Sequence, residues 1–220
     1  MWSYFAGARR ALAAVSVMFA MAAPLGMAAT VAGNTPLDAY LADLKTMRAT
    51  FTQSVVDARG REIDKSSGQL VVSRPGKFRW EVQAAGTGAG QLMVADGRNV
   101  WFFDRDLEQV TVKPADAALS ATPATLLSGV GDVRENFVLS PGGQRDGLDW
   151  VLVEPRKGEA DFRRALLGFA KGALKRMILD DKLGQTATVT FDRIERNGRV
   201  GNEEVSFTPP KGADVIGKPR

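Results

Sequence analysis

The sequence predicts a mainly β protein built on one large antiparallel sheet, curved or closed. Two observations carry that prediction. After Phe51, segments rich in Val, Phe, Trp and Thr recur about every ten residues between Gly, Asp and Pro; roughly a dozen fit from Phe51–Val56 to Val205–Thr208. Between 77 and 82 the alternation is clean, with Phe78, Trp80 and Val82 on one side and Lys77, Arg79 and Glu81 on the other. One face of that strand therefore meets apolar matter and the other meets water. So dense a run of strands favours a single curved sheet over two domains.

The elements follow in chain order. Residues 1 to 10 hold Arg9-Arg10 and no acid, Ala11 to Ala23 form an apolar run broken only by Ser16, and Pro24, Gly26 and Ala28 follow. That is the order of a secretory signal peptide, expected over 1–28 with cleavage after Ala28, or else at Ala32. The run is too short and too rich in alanine for a membrane span of roughly 20 strongly apolar residues. The arginine pair matches a twin-arginine signal at two residues only, and no Cys stands at the cut to take a lipid. A single domain over 29–220, in the periplasm of a Gram-negative bacterium, is the expectation.

Thr35-Pro36-Leu37-Asp38 reads as a helix start, with Thr35 as N-cap, Pro36 in the first turn and Asp38 near the free amides. Leu37, Tyr40, Leu41, Leu44 and Met47 then recur at helical spacing, so one face of this helix lies on something apolar. Asp96-Gly97 between Leu92-Met93-Val94 and Val100-Trp101-Phe102-Phe103 signals a hairpin, because glycine accepts positive φ cheaply. A second short helix is expected over Pro123–Leu127 after Thr122, ended by Gly129 and Gly131. Residues 160–181 carry two patterns. Phe162, Ala165, Leu166, Phe169 and Ala173 fit a helix, whereas two strands joined by Lys171-Gly172 put Leu174, Arg176 and Ile178 opposite Lys175, Met177 and Leu179. Residues 184–194, dense in Thr and Val, read as a strand.

Composition removes whole classes of function. The 220 residues include no His and no Cys, which excludes Ser-His-Asp triads, cysteine nucleophiles, imidazole or thiolate zinc sites and disulfides. No metal and no cofactor is expected. There are 29 Lys+Arg against 25 Asp+Glu; without Arg9 and Arg10 the balance is 27 − 25 = +2, too weak a bias for a nucleic-acid partner. Asp180-Asp181 and Glu203-Glu204 are adjacent pairs, which a strand splits to opposite faces, so neither forms a general acid/base couple and no catalytic residue is assigned. The glycine-rich stretch from Ala84 to Gly90 joins two strands instead of opening a helix and is not a phosphate cradle. Arg163-Arg164 and Lys175-Arg176 read as solvated sheet edges or faces.

The order of motifs resembles the LolA family of periplasmic lipoprotein carriers. The matching pieces are Phe51-Thr52-Gln53, Gly68-Gln69-Leu70, Arg74-Pro75-Gly76-Lys77-Phe78-Arg79-Trp80, Asp96-Gly97 before Val100-Trp101, and Glu108-Gln109-Val110. Further on come Pro123–Leu127, Asp180 with Leu183-Gly184-Gln185, and Phe207-Thr208-Pro209-Pro210-Lys211-Gly212-Ala213-Asp214-Val215-Ile216. The resemblance implies an unclosed, strongly curved antiparallel half-barrel with short helices forming a lid over an apolar cavity, and it decides residues 160–181 in favour of strands. It also implies acylated lipoproteins as cargo, an inner-membrane exporter and an outer-membrane acceptor as partners, and a monomer. A carrier of another amphiphile, such as a glycolipid or pigment precursor, would use the same hollow.

The resemblance assigns roles residue by residue. Arg74, placed before a proline and so expected extended at a strand end, is the lid latch, with contacts around Leu41 and Leu127. Leu37, Leu44, Leu70, Val72, Trp80, Val82, Leu92, Val94, Trp101, Phe102 and Leu126 are expected to line the lipid cavity, and Phe78 to lie at the rim that meets the exporter. The expectation underlying all of them is a bowl left hollow by its own side chains.

Overall fold

The computed structural model describes residues 34–85, 90–115, 123–129, 133–156 and 162–220. The expected signal peptide, Thr122, Gly131 and most of the glycine-rich stretch lie outside them.

The described residues form helix α1 (Pro36–Ala42) and strands β1 (Thr46–Val56), β2 (Glu62–Ser73), β3 (Lys77–Ala84), β4 (Gly90–Asp96), β5 (Asn99–Asp104) and β6 (Gln109–Pro114). Helices α2 (Pro123–Ser128) and α3 (Val133–Asn136) follow, then β7 (Phe137–Arg145), β8 (Leu148–Pro155), β9 (Phe162–Ala170), β10 (Ala173–Asp181) and β11 (Thr186–Arg196). A 3-10 turn (Asn202–Val205) and the short strand β12 (Asp214–Ile216) close the chain. One sheet holds all twelve strands in the order β12-β6-β5-β4-β3-β2-β1-β11-β10-β9-β8-β7. Its two ends, β12 and β7, do not pair with each other, so the sheet is unclosed. Only β12, beside β6, is parallel to its neighbour.

This order is two meanders, β1–β6 and β7–β11, joined where β1 pairs with β11. Because β6 and β7 lie toward opposite edges, the connection between them must span the sheet, and α2 and α3 belong to that connection. Helix α2 lies against β2 and β3, and α1 lies against β8. The two helices thus cover separate parts of one face.

Alternation sorts the apolar residues into two cores. The inner face buries Leu37, Tyr40, Leu41 and Leu44 of the α1 region, Leu126 and Leu127 of α2, and Met47, Phe51, Leu70, Val72, Phe78, Val151, Val153, Leu167, Phe169, Leu174, Met177, Val189 and Phe191 of the strands. On the outer face, Leu92, Val94, Trp101, Val110 and Val112 form a second cluster with Phe103, Phe207 and Ala213. Phe207 reaches it because the chain after β11 crosses that face, bringing its ring 5.7 Å from Trp101 and 5.9 Å from Phe103.

Residues 162–181 are two strands, as the resemblance implied. Lys171 and Gly172, at φ 49° and 75°, make the two-residue turn between them, which a helix through this segment could not accommodate. The expected facing within β10 needs correction. A bulge between Leu174 and Arg176 inserts a residue, so Leu174 and Met177 share the inner face and the alternation Leu174-Arg176-Ile178 is broken. The Asp96-Gly97 hairpin forms with Gly97 at φ 95°, and the Asp96 carboxylate accepts from the amides of Arg98 and Asn99, each at 2.8 Å, and from Trp101 Nε1 at 2.7 Å.

Candidate functional site

The site is the inner face together with the helices that cover it. Helix α1 starts as its sequence dictates. The Thr35 hydroxyl caps the Asp38 amide at 3.3 Å, and the Asp38 carboxylate accepts from the Thr35 amide and hydroxyl, each at 2.7 Å. Asp38 also takes two bonds from the Arg134 guanidinium of α3, at 3.2 and 2.7 Å, tying the two helices together. Burial pushes the Asp38 carboxyl up, but the bonds from Thr35 and the Arg134 charge outweigh it and hold the group below its ordinary range.

The other end of α1 has no basic residue of its own in the last turn. Helix C-termini leave carbonyls unpaired and carry partial negative charge, so a cation from elsewhere is favoured there. Arg74, in the turn between β2 and β3, supplies it: Nη1 donates to Leu41 O at 2.5 Å and to Leu44 O at 3.2 Å, while its amide donates to Lys45 O at 2.8 Å. Burial draws its pKa below the ordinary value, yet a guanidinium stays charged. The same turn reaches the second helix. Gly76 N donates to Ser128 O at 2.8 Å, and the guanidinium packs directly on Gly129, whose missing side chain and φ of 70° make room for it.

Arg74 therefore contacts the ends of both helices, at the Leu41 and Leu44 carbonyls after α1 and at Gly129 after α2, while the Leu127 side chain is buried in the inner core. The Arg74-Pro75 bond is cis, and Arg74 sits in the turn directly after Ser73, the last residue of β2.

The cavity residues divide. Leu37, Leu44, Leu70, Val72 and Leu126 are buried in the inner core, with Trp80, Val82 and Phe102 half-buried against it. Cross-strand register puts Leu70, Trp80, Met93 and Phe102 in one inward row. Leu92, Val94 and Trp101 are a correction. They pair with Glu81, Arg79 and Val112 and face outward into the second cluster, because an odd step along a strand reverses the face. Phe78 is a second correction: it is 0% exposed, beneath α2 beside Val72 and Ala95, and so is not at a rim in this closed arrangement.

The hollow itself is smaller than expected. Helix side chains fill the concavity where α1 and α2 lie, all but excluding water from Leu37, Leu126 and Leu127. Beyond them an open groove of about 390 Å³ remains, floored by Trp80, Val82, Met93 and Phe102 and edged by Gln53, Gln91, Asp104, Gln109 and Thr111. Leu92 and Phe103 border it from strands whose alternation turns their side chains outward. The volume lies at the lower end of ligand pockets, roughly 300–1,000 Å³. A larger hollow of about 680 Å³ lies at Thr50, Thr52, Ser67, Gln69, Thr190 and Asp192. Phe51 and Phe191 also line it, but beside the charged Glu81, Asp192 and Arg193, so the smaller groove is the more apolar of the two.

Sequence reading missed the second half of the inner wall, Phe137, Val151, Val153, Leu167, Phe169 and Val189; in β8 and β9 the apolar residues run on continuously, from Trp150 to Val153 and from Ala165 to Ala170, so alternation could not tell the two faces apart. It also missed Arg134, whose pairing with Asp38 across 96 residues leaves no local signal.

Fold and site define a class: an open half-barrel whose apolar inner face is covered by short helices hydrogen-bonded through their main chain to a turn of the sheet. The family model for outer membrane lipoprotein carrier protein LolA matches residues 42–208. An outer-membrane lipoprotein carrier protein of Dechloromonas aromatica is 42% identical over 179 residues, covering 81% of this chain and 85% of its own. One of Methylobacillus flagellatus is 36% identical over 209 residues, covering 95% and 100%. A crystal structure of a conserved protein from Thermus thermophilus shares the fold at TM-score 0.51 and 16% identity, covering 82% of this chain and 96% of that one. The chain belongs to the LolA family.

Proposed function

We propose that this protein is a periplasmic lipoprotein chaperone, binding the acyl chains of lipoproteins against its inner face and carrying them to the outer membrane. The observation that carries this is Arg74 holding the main chain at the end of α1 over a large buried apolar cluster that continues into an open groove. Burying a methylene gains about 0.8 kcal/mol, so ten yield about 8 kcal/mol. A hydrogen bond to a charged group contributes roughly 1.5 to 3 kcal/mol. Acyl chains that bury more apolar surface than the helix side chains they displace can therefore outweigh the latch as well, and the latch helps restore closure once they leave. In this reading the helix leucines stand in for lipid when the carrier is empty.

Residues 1–28 act as the export signal, an inner-membrane exporter loads the carrier and an outer-membrane acceptor empties it. The protein works as a monomer and performs carriage rather than turnover. Phe78 reaches a partner only after α2 lifts away from it. Depleting the protein in its source bacterium tests the reading: lipoproteins should stall at the inner membrane. Normal sorting after depletion would reject lipoprotein carriage in favour of another amphiphile.

A further inference from the structure

Arg74 is not alone at the end of α1. Arg196, the last residue of β11, donates from Nη2 to Tyr40 O at 3.0 Å and lays its guanidinium over the Tyr40 ring, 4.4 Å from the ring centre. Tyr40 is buried: its hydroxyl donates to Met47 Sδ at 3.3 Å, and its ring lies 5.6 Å from Phe169 on the inner wall. The two arginines thus grip consecutive carbonyls, Tyr40 and Leu41, from different parts of the sheet. Beside Arg196, Asn197 clasps the link from α1 to β1: its side chain accepts from the Lys45 amide at 2.8 Å and donates to Asp43 O at 2.9 Å. The link is thereby pinned, whereas Tyr40 stays docked only while α1 lies down.

We propose that Arg196 is a positioning residue of the lid, a second cap on α1 that senses through Tyr40 whether the helix is seated. This rests on the carrier reading and adds to it. Stacking requires the ring to be in its inner-face position, so lifting α1 breaks the stack and the carbonyl bond together. Asn197 keeps the base of the helix in place, making its link the pivot. Losing the cap should favour the open lid and bind cargo more tightly, whereas ordinary loss of packing would weaken binding.

The test uses the mature full-length chain with three substitutions, Arg196→Ala, Arg196→Lys and Arg74→Leu. Hydrogen exchange of the Tyr40–Leu44 amides is read without cargo, and affinity is read for a synthetic triacylated lipopeptide. Expected for Arg196→Ala are about tenfold faster exchange at those amides with β1–β3 unchanged, and severalfold tighter lipopeptide binding. Arg196→Lys, which keeps a cation but not the planar stack, should fall between. If Arg196→Ala destabilises the whole chain, Tyr40→Leu replaces it, removing the stack while keeping an apolar side chain. Unchanged α1 exchange in the Arg196 variants beside faster exchange in Arg74→Leu would overturn the second cap alone. Failure of the unsubstituted protein to bind lipopeptide would overturn the carrier reading, while the exchange data still decided the role of Arg196.

Discussion

At the residue scale the proposed latch depends on a side chain that is absent. Gly129 lets the Arg74 guanidinium lie on the α2 end while it holds Leu41 and Leu44, and any Cβ there would collide with it. Gly129→Ala should displace Arg74 and strain a backbone held at φ 70°, at a stability loss of about 1 to 2 kcal/mol. Denaturant titration reads that loss, and faster exchange at Leu41 and Leu44 reads the broken latch. Arg74→Leu acts more directly. The purified variant should still accept lipoprotein but release it poorly, and normal transfer to the acceptor would refute a latch. Arg74 was legible from the Arg-Pro pair and the resemblance. Gly129 was visible only as a helix stop, because its role depends on a side chain arriving from a turn more than fifty residues earlier.

At the element scale α1 is a seven-residue helix held mainly by groups outside itself. So short a segment is marginal alone, and its stability comes from packing and caps. Asp38 links the N-terminal cap to α3, and its carboxyl is held below the ordinary 3.8. A depressed folded-state pKa stabilises above the unfolded value and is lost as pH falls through the folded one. Lowering the pH below about 4 should therefore free α1 before the sheet melts. Exchange at Leu37–Tyr40 across that range measures it, and Asp38→Asn should flatten the response. Thr35→Ala should cost about 1 kcal/mol through the cap. The start of this helix was readable, since Thr35, Pro36 and Asp38 act locally, but its end was not: the helical spacing ran on through Leu44 to Met47, whereas the helix stops at Ala42 and Met47 already belongs to β1. The facing within β10 was not, because a bulge is set by pairing with β9 and leaves no mark in the alternation of one strand.

At the scale of the whole molecule the two apolar clusters have separate tasks. The outer one, around Trp101 and Phe207, fastens the C-terminal stretch to the sheet, and the inner one is divided between packing and the groove. Phe102→Asp should abolish lipopeptide binding with little loss of stability, since Phe102 is half-exposed on the groove floor. Trp101→Ala should cost about 3 to 5 kcal/mol in unfolding while leaving the affinity of the surviving folded protein near normal. Equal effects from the two substitutions would show that the faces are not independent. These residues are neighbours in sequence, and only the register of β4, β5 and β6 tells them apart.

The seam between β1 and β11 sets when the inner wall can exist. It pairs Thr50 with Asp192 and Phe51 with Phe191, so the first strand must wait for nearly the last. Contacts that distant in sequence make for slow folding. A newly made chain would have to keep its first meander from clinging to other greasy surfaces until β11 arrives, and a carrier cut short before that strand would become a client in need of a chaperone itself.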